Sequence, residues 1–159
     1  MTDFSRLSSI WSAWAPKAGL AGVEISLTRD DCEIAFKATD YSVHLRHDKD
    51  RWAIDIIDDR GQKRSDVATF STVDLVEKYL VWDWATLARS GLASGPLGAD
   101  LYRLGYAPGI EVSELGEGRI QVCLNGDCAI LIAGDATIFS HIMAKSVDEL
   151  LDIAKNAGL

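Results

Sequence analysis

Apolar residues recur at helical spacing over residues 3–18, where Phe4, Leu7, Ile10, Trp11 and Trp14 mark one face. Thr2 or Asp3 is placed to cap the start, and Pro16 and Gly19 to end it. The period then drops to two. Val23, Ile25 and Leu27 alternate with polar neighbours, as do Cys32, Ile34 and Phe36, then Val43 and Leu45, then Trp52, Ile54 and Ile56. A fifth strand fits Asp66–Phe70. The links at 29–31, 39–40, 47–50 and 58–61 are short, which predicts antiparallel neighbours in a meander. Helical spacing returns from about Thr72 to Arg89, with Ser71 and Asp74 fitting a capping box. Its apolar set, from Val73 to Leu87, is wide enough to predict burial against the sheet. Gly91, Gly95, Pro96 and Gly98 then read as a loop.

Residues 110–133 return to strand patterning around Asn125-Gly126, a strong hairpin signal because a type I′ turn needs positive φ at both central residues. Ser146 and Glu149 form another capping box, opening a helix to about Ala157. Strands cluster rather than alternate with helices. The predicted class is α+β: an antiparallel β-meander with an N-terminal helix, a long central helix, a C-terminal β-hairpin and a C-terminal helix. Length and an ordinary hydrophobic content of 48% fit one domain over 1–159, with no repeat or low-complexity divider.

Charge changes the picture of partners. A formal −8 repels phosphate backbones, so nucleic acid is a poor partner and a basic protein surface a better one. The opening residues lack the basic patch and apolar run of a secretory signal, and no apolar stretch is long enough for a bilayer. We therefore expect a cytoplasmic protein without a membrane partner.

Catalytic chemistry finds little support. His44 and His47 lie three apart on or beside a strand and should face opposite ways, which is poor spacing for a shared metal. His141 stands alone near an expected helix start. No phosphate-binding loop or nucleophile elbow is present. The expectation is no enzyme, no catalytic residue, no metal and no cofactor. Trp11, Trp14, Trp52, Trp82 and Trp84 each fall in an apolar periodic segment and read as core. Cys32, Cys123 and Cys128 are too few and too odd for a disulfide framework. The Asn-Gly turn places Cys123 opposite Cys128 at a non-hydrogen-bonded pair, which permits a bridge; a reducing cytosol favours two thiols.

One polar feature is organised. Alternate turns of a meander share an end, so Asp30, Asp31, Asp48 and Asp50 should gather at one end and Asp40, Asp58 and Asp59 at the other. Turns favour aspartate for backbone reasons. The functional reading is an acidic rim that meets a basic cleft and speeds association.

Four stretches carry a resemblance. They are Trp11-Ser-Ala-Trp14-Ala-Pro-Lys-Ala-Gly19, Val76-Glu-Lys-Tyr-Leu80, Ala88-Arg-Ser-Gly-Leu92 and Ser146-Val-Asp-Glu-Leu150. In this order, over nearly the whole chain, the pattern resembles the bacterial immunity proteins paired with tuberculosis necrotizing toxin and related domains. The resemblance implies an antitoxin that binds a toxin of NAD glycohydrolase type, one to one, and covers its active-site cleft. The alternatives are an acidic homodimeric secretion chaperone that holds an effector segment, or a small enzyme using His141 and a carboxylate.

Overall fold

The computed structural model describes residues 2–27 and 32–159. Helix α1 runs Ser5–Trp14 and tightens into a 3-10 turn at Pro16–Ala18, which Gly19 closes in the left-handed conformation. Asp3 accepts the Ser5 amide at 2.9 Å, the start signal read from the sequence. Strands β1 (Glu24–Leu27), β2 (Ile34–Lys37), β3 (Ser42–Asp48), β4 (Arg51–Ile57) and β5 (Lys63–Phe70) form the expected meander. Helix α2 (Val73–Ala88) follows, then two short helices, α3 (Ser90–Ala93) and α4 (Ala99–Arg103). Strands β6 (Glu111–Gly116), β7 (Arg119–Leu124) and β8 (Asp127–Ile132) lead into α5 (Ala133–Ile142) and α6 (Val147–Asn156).

All eight strands join one antiparallel sheet in the order β1-β2-β3-β4-β5-β8-β7-β6. The predicted hairpin is therefore the β7–β8 part of a three-stranded unit. That unit joins the meander through only two residue pairs, Thr69↔Ile130 and Phe70↔Ala129. Asn125 and Gly126 both take positive φ, as the two-residue turn requires.

One face of the sheet builds the core. Ile34, Phe36, Val43, Leu45, Ile54, Phe70, Val122 and Leu131 share a single buried cluster with α1, α2, α5 and α6. All five tryptophans are buried, as their periodic positions predicted. Trp11 and Trp84 lie 5.0 Å apart by ring centroid, and Phe36 packs edge-on against Trp84.

Local rules explain the departures from the sequence reading. Thr72, not Ser71, caps α2 by accepting the Leu75 amide; Ser71 Oγ instead accepts the Cys128 amide, stitching the β5 end to β8. The glycine-rich stretch after α2 is α3 and α4 rather than an open loop. Gly98 allows them to pack, because a Cβ there would meet the Ala93 carbonyl at 1.8 Å. Helix α5 was not expected. It starts directly from β8 with no side-chain cap, so no punctuation separates strand from helix. The Ser146–Glu149 capping box is present.

Candidate functional site

Among the described residues the helices pack on the core face of the sheet, yet parts of the second face along β3–β5 are also buried. Small Ala35 and Ala53 and polar Ser42, His44 and Asp55 stand there. Asp55 is wholly buried in a strand, so its charge needs partners. The Arg46 guanidinium grips it with two donors, at 2.6 and 3.0 Å, and also reaches Asp66. Asp66 sits at positive φ where the β4–β5 register shifts, and its amide donates to Asp55 at 2.9 Å. Lys63 adds a cation at 3.6 Å. Burial pushes the Asp55 carboxyl up, but Arg46, the Asp66 amide and Lys63 together outweigh it and hold it below its ordinary value. The sequence reading missed this group. A signal existed: an aspartate between Ile54 and Ile56 faces away from the core, and the β3–β4 register puts it diagonal to Arg46.

Beside this network lies a groove of about 650 Å³. Its floor is Ala53, Thr69 and Ile130, at the seam between β5 and β8. Asp48, Lys49, Asp50 and Arg51 form one wall, and Leu115, Glu117 and Arg119 the other. A smaller cavity of about 220 Å³ shares Asp50, Arg51, Thr69 and Ile130 and continues to Gln121 and Cys128. Both concavities lie along the short β5–β8 seam, where Thr69 pairs with Ile130, Phe70 with Ala129, and the Ser71 amide donates to the Cys128 carbonyl at 2.9 Å.

The predicted acidic turns are only partly acidic in space. Asp48 and Asp50 line the groove with Lys49 and Arg51 between and beside them, and with Arg46 and Arg119 close by. The result is a mixed-charge wall rather than a uniform acidic rim. Asp30 and Asp31 lie outside the described residues. Asp40 and Asp59 are exposed at the opposite end of the meander. Asp58 shares that end, but its Oδ1 accepts the amides of Arg60 and Gln62 at 2.9 and 3.0 Å. It builds its own turn, as the backbone argument for turn aspartates holds.

His44 and His47 face opposite ways as predicted. His44 is buried on the second face, 3.8 Å from the Cys32 sulfur, while His47 stacks on Trp52. His141 stands in the last turn of α5, not at a helix start, with Nε2 2.7 Å from the Gly105 carbonyl oxygen. None of the cavities described above is lined by it. No group of three metal-ligating side chains occurs among the described residues. Cys123 and Cys128 form a disulfide, where the expectation was two thiols. Their directly opposed positions bring the Cα atoms to 4.1 Å, the close approach of a non-hydrogen-bonded pair.

Carboxylates also sit on the helix side. Asp83 of α2 is half-buried and receives the Tyr41 hydroxyl at 3.1 Å. Burial, against that hydrogen bond, raises its pKa from 3.8 to about 6. Burial likewise raises Asp135.

Comparison with known proteins decides what this architecture belongs to. The family model described as Immunity protein 61 matches residues 14–157, nearly the whole chain. The chain belongs to the Immunity protein 61 family. Among solved structures, Rv3902c from M. tuberculosis is similar with a TM-score of 0.67 at 16% identity, over 92% of this chain and 87% of that one. At that identity the likeness establishes the fold. No curated protein matches. Membership in the Immunity protein 61 family supports an antitoxin role and implies a cognate toxin as partner. No helix among the described residues is long and apolar enough to cross a membrane.

Proposed function

We propose that this protein neutralises a toxin domain of NAD glycohydrolase type by forming a one-to-one complex that sterically closes the toxin's active site. The observation that carries the reading is the family match across residues 14–157. The toxin class comes from the sequence resemblance carried, in order, by Trp11–Gly19, Val76–Leu80, Ala88–Leu92 and Ser146–Leu150. A blocking protein needs shape and charge complementarity, not chemistry of its own. Asp48 and Asp50 at one end of the meander and Asp40, Asp58 and Asp59 at the other supply negative charge that steers a basic cleft, and Asp30 and Asp31 add to the net charge.

Co-expression tests this. Cells making the toxin domain encoded beside this protein should keep their NAD and their viability when the protein is present. Undiminished NAD loss with the protein stably expressed would sink the reading.

A further inference from the structure

Strand β6 differs from every other strand in the sheet. All six of its residues are exposed, and among the described residues it ends the strand order with no neighbour beyond it. Helix α5 packs on β7 and β8, one strand short of it. Its backbone is therefore a row of unpaired donors and acceptors. The register shows which ones. Asn125-Gly126 makes Leu124 and Asp127 a hydrogen-bonded pair, so Leu124, Val122 and Ile120 bond toward β8, and Cys123 and Gln121 toward β6. Their partners Glu111 and Ser113 bond inward. The N–H and C=O groups of Val112 and Glu114 are left pointing away from the sheet.

The side chains define what fits there. Glu111, Glu114 and Glu117 enter none of the ion pairs among the described residues. Val112 and Leu115 are 39% and 51% exposed and offer apolar anchors beside these charges. The opposite edge of the sheet is different: among the described residues β1 spans Glu24–Leu27, and its Glu24 pairs with Lys37 at 3.2 Å. A second copy is a poor occupant of β6, because self-pairing would crowd the glutamates of both strands across one seam. A strand bearing lysine or arginine meets no such repulsion.

We propose that the free edge of β6 receives an extended, basic segment of the toxin as an added strand. Val112 and Glu114 supply the main-chain bonds, and Glu111, Glu114 and Glu117 pair the incoming cations. The proposal rests on the immunity reading and names the surface that reading left open. Because the β6–β7 turn also walls the groove, the added strand would lie along the groove's outer rim.

Amide hydrogen exchange of the chain, alone and with the inactivated toxin domain encoded beside it, is the test. In the complex, the Val112 and Glu114 amides should slow at least a hundredfold. Val112→Pro removes one outward donor without touching the β6–β7 bonds. It should weaken the complex at least tenfold while its melting temperature stays within a few degrees of wild type. Glu111→Lys with Glu114→Lys should weaken it similarly, and more at low salt. A complex in which both amides exchange as in the free chain, with Val112→Pro binding normally, overturns the edge proposal alone. No complex with the wild-type chain overturns the immunity reading and this proposal with it. A dimer of the chain alone that Val112→Pro dissociates gives the edge to a second copy and overturns it too.

Discussion

Strands β2 to β4 bury both faces, whereas β6 buries neither. The meander's helix-facing residues enclose Trp11 and Trp84, and its second face closes over a buried carboxylate held by Arg46. Across the seam at Thr69 and Ile130, β8 and β7 each keep two buried residues and β6 keeps none. Stability is thus concentrated at one end of a single sheet. Side chains of β6 other than Gly116, which is held at positive φ, are exposed and little constrained by packing.

The comparison breaks first at the core. Phe36→Ala should cost about 3–5 kcal/mol in urea unfolding, since it empties the space between Trp11 and Trp84. A small loss there would mean the meander is not the stable half. Arg46→Met should cost about 2–4 kcal/mol at pH 7, because Asp55 stays buried with only Lys63 as a cation. The sign with pH follows from the depressed Asp55 pKa. The carboxylate's contribution is present above the unfolded value of about 3.9 and is lost as pH falls through the lower folded value. The variant's deficit should therefore shrink below about pH 4, which urea titrations at pH 3 and pH 7 would resolve.

Asp83 shifts the other way. Its pKa is raised to about 6, so the folded state gains from the proton, and that gain is lost as pH rises from 3.8 through 6. Asp83→Asn keeps an acceptor for Tyr41 and removes the buried charge. It should stabilise the protein by about 1–3 kcal/mol at pH 8 and by almost nothing below pH 4, read as melting temperature against pH. The smallest effect belongs to β6. Val112→Ala should change stability by less than about 0.5 kcal/mol. A larger loss would show that the distal strand carries structural weight.

The same contrast explains what the sequence made legible. The meander could be read because its core-facing residues alternate strictly, as Trp52, Ile54 and Ile56 do, and its links are short. The wide apolar set of α2 and the Ser146–Glu149 box were equally plain. Strand β6 was harder: with no buried face, Glu111–Gly116 has no hydrophobic alternation to impose. Helix α5 was hidden because Ile132 continues into Ala133 without a cap. In the site, Asp48 and Asp50 were placed correctly at one end of the meander. Their cationic neighbour Arg119 was not foreseen, because it comes from far along the chain and meets them only when β5 pairs with β8; Arg46 stands two residues from Asp48 on the same strand. Asp55 shows the limit: its importance lies in burial, which alternation assigns to only one face of a strand.

We propose that this chain stops a toxin of NAD glycohydrolase type by occupying its active site. The most direct measurement is a titration of the toxin domain's NAD hydrolysis with purified protein at toxin concentrations well above the dissociation constant. A one-to-one complex gives a linear fall in rate to zero at one equivalent. A rate that stays constant past several equivalents would contradict it.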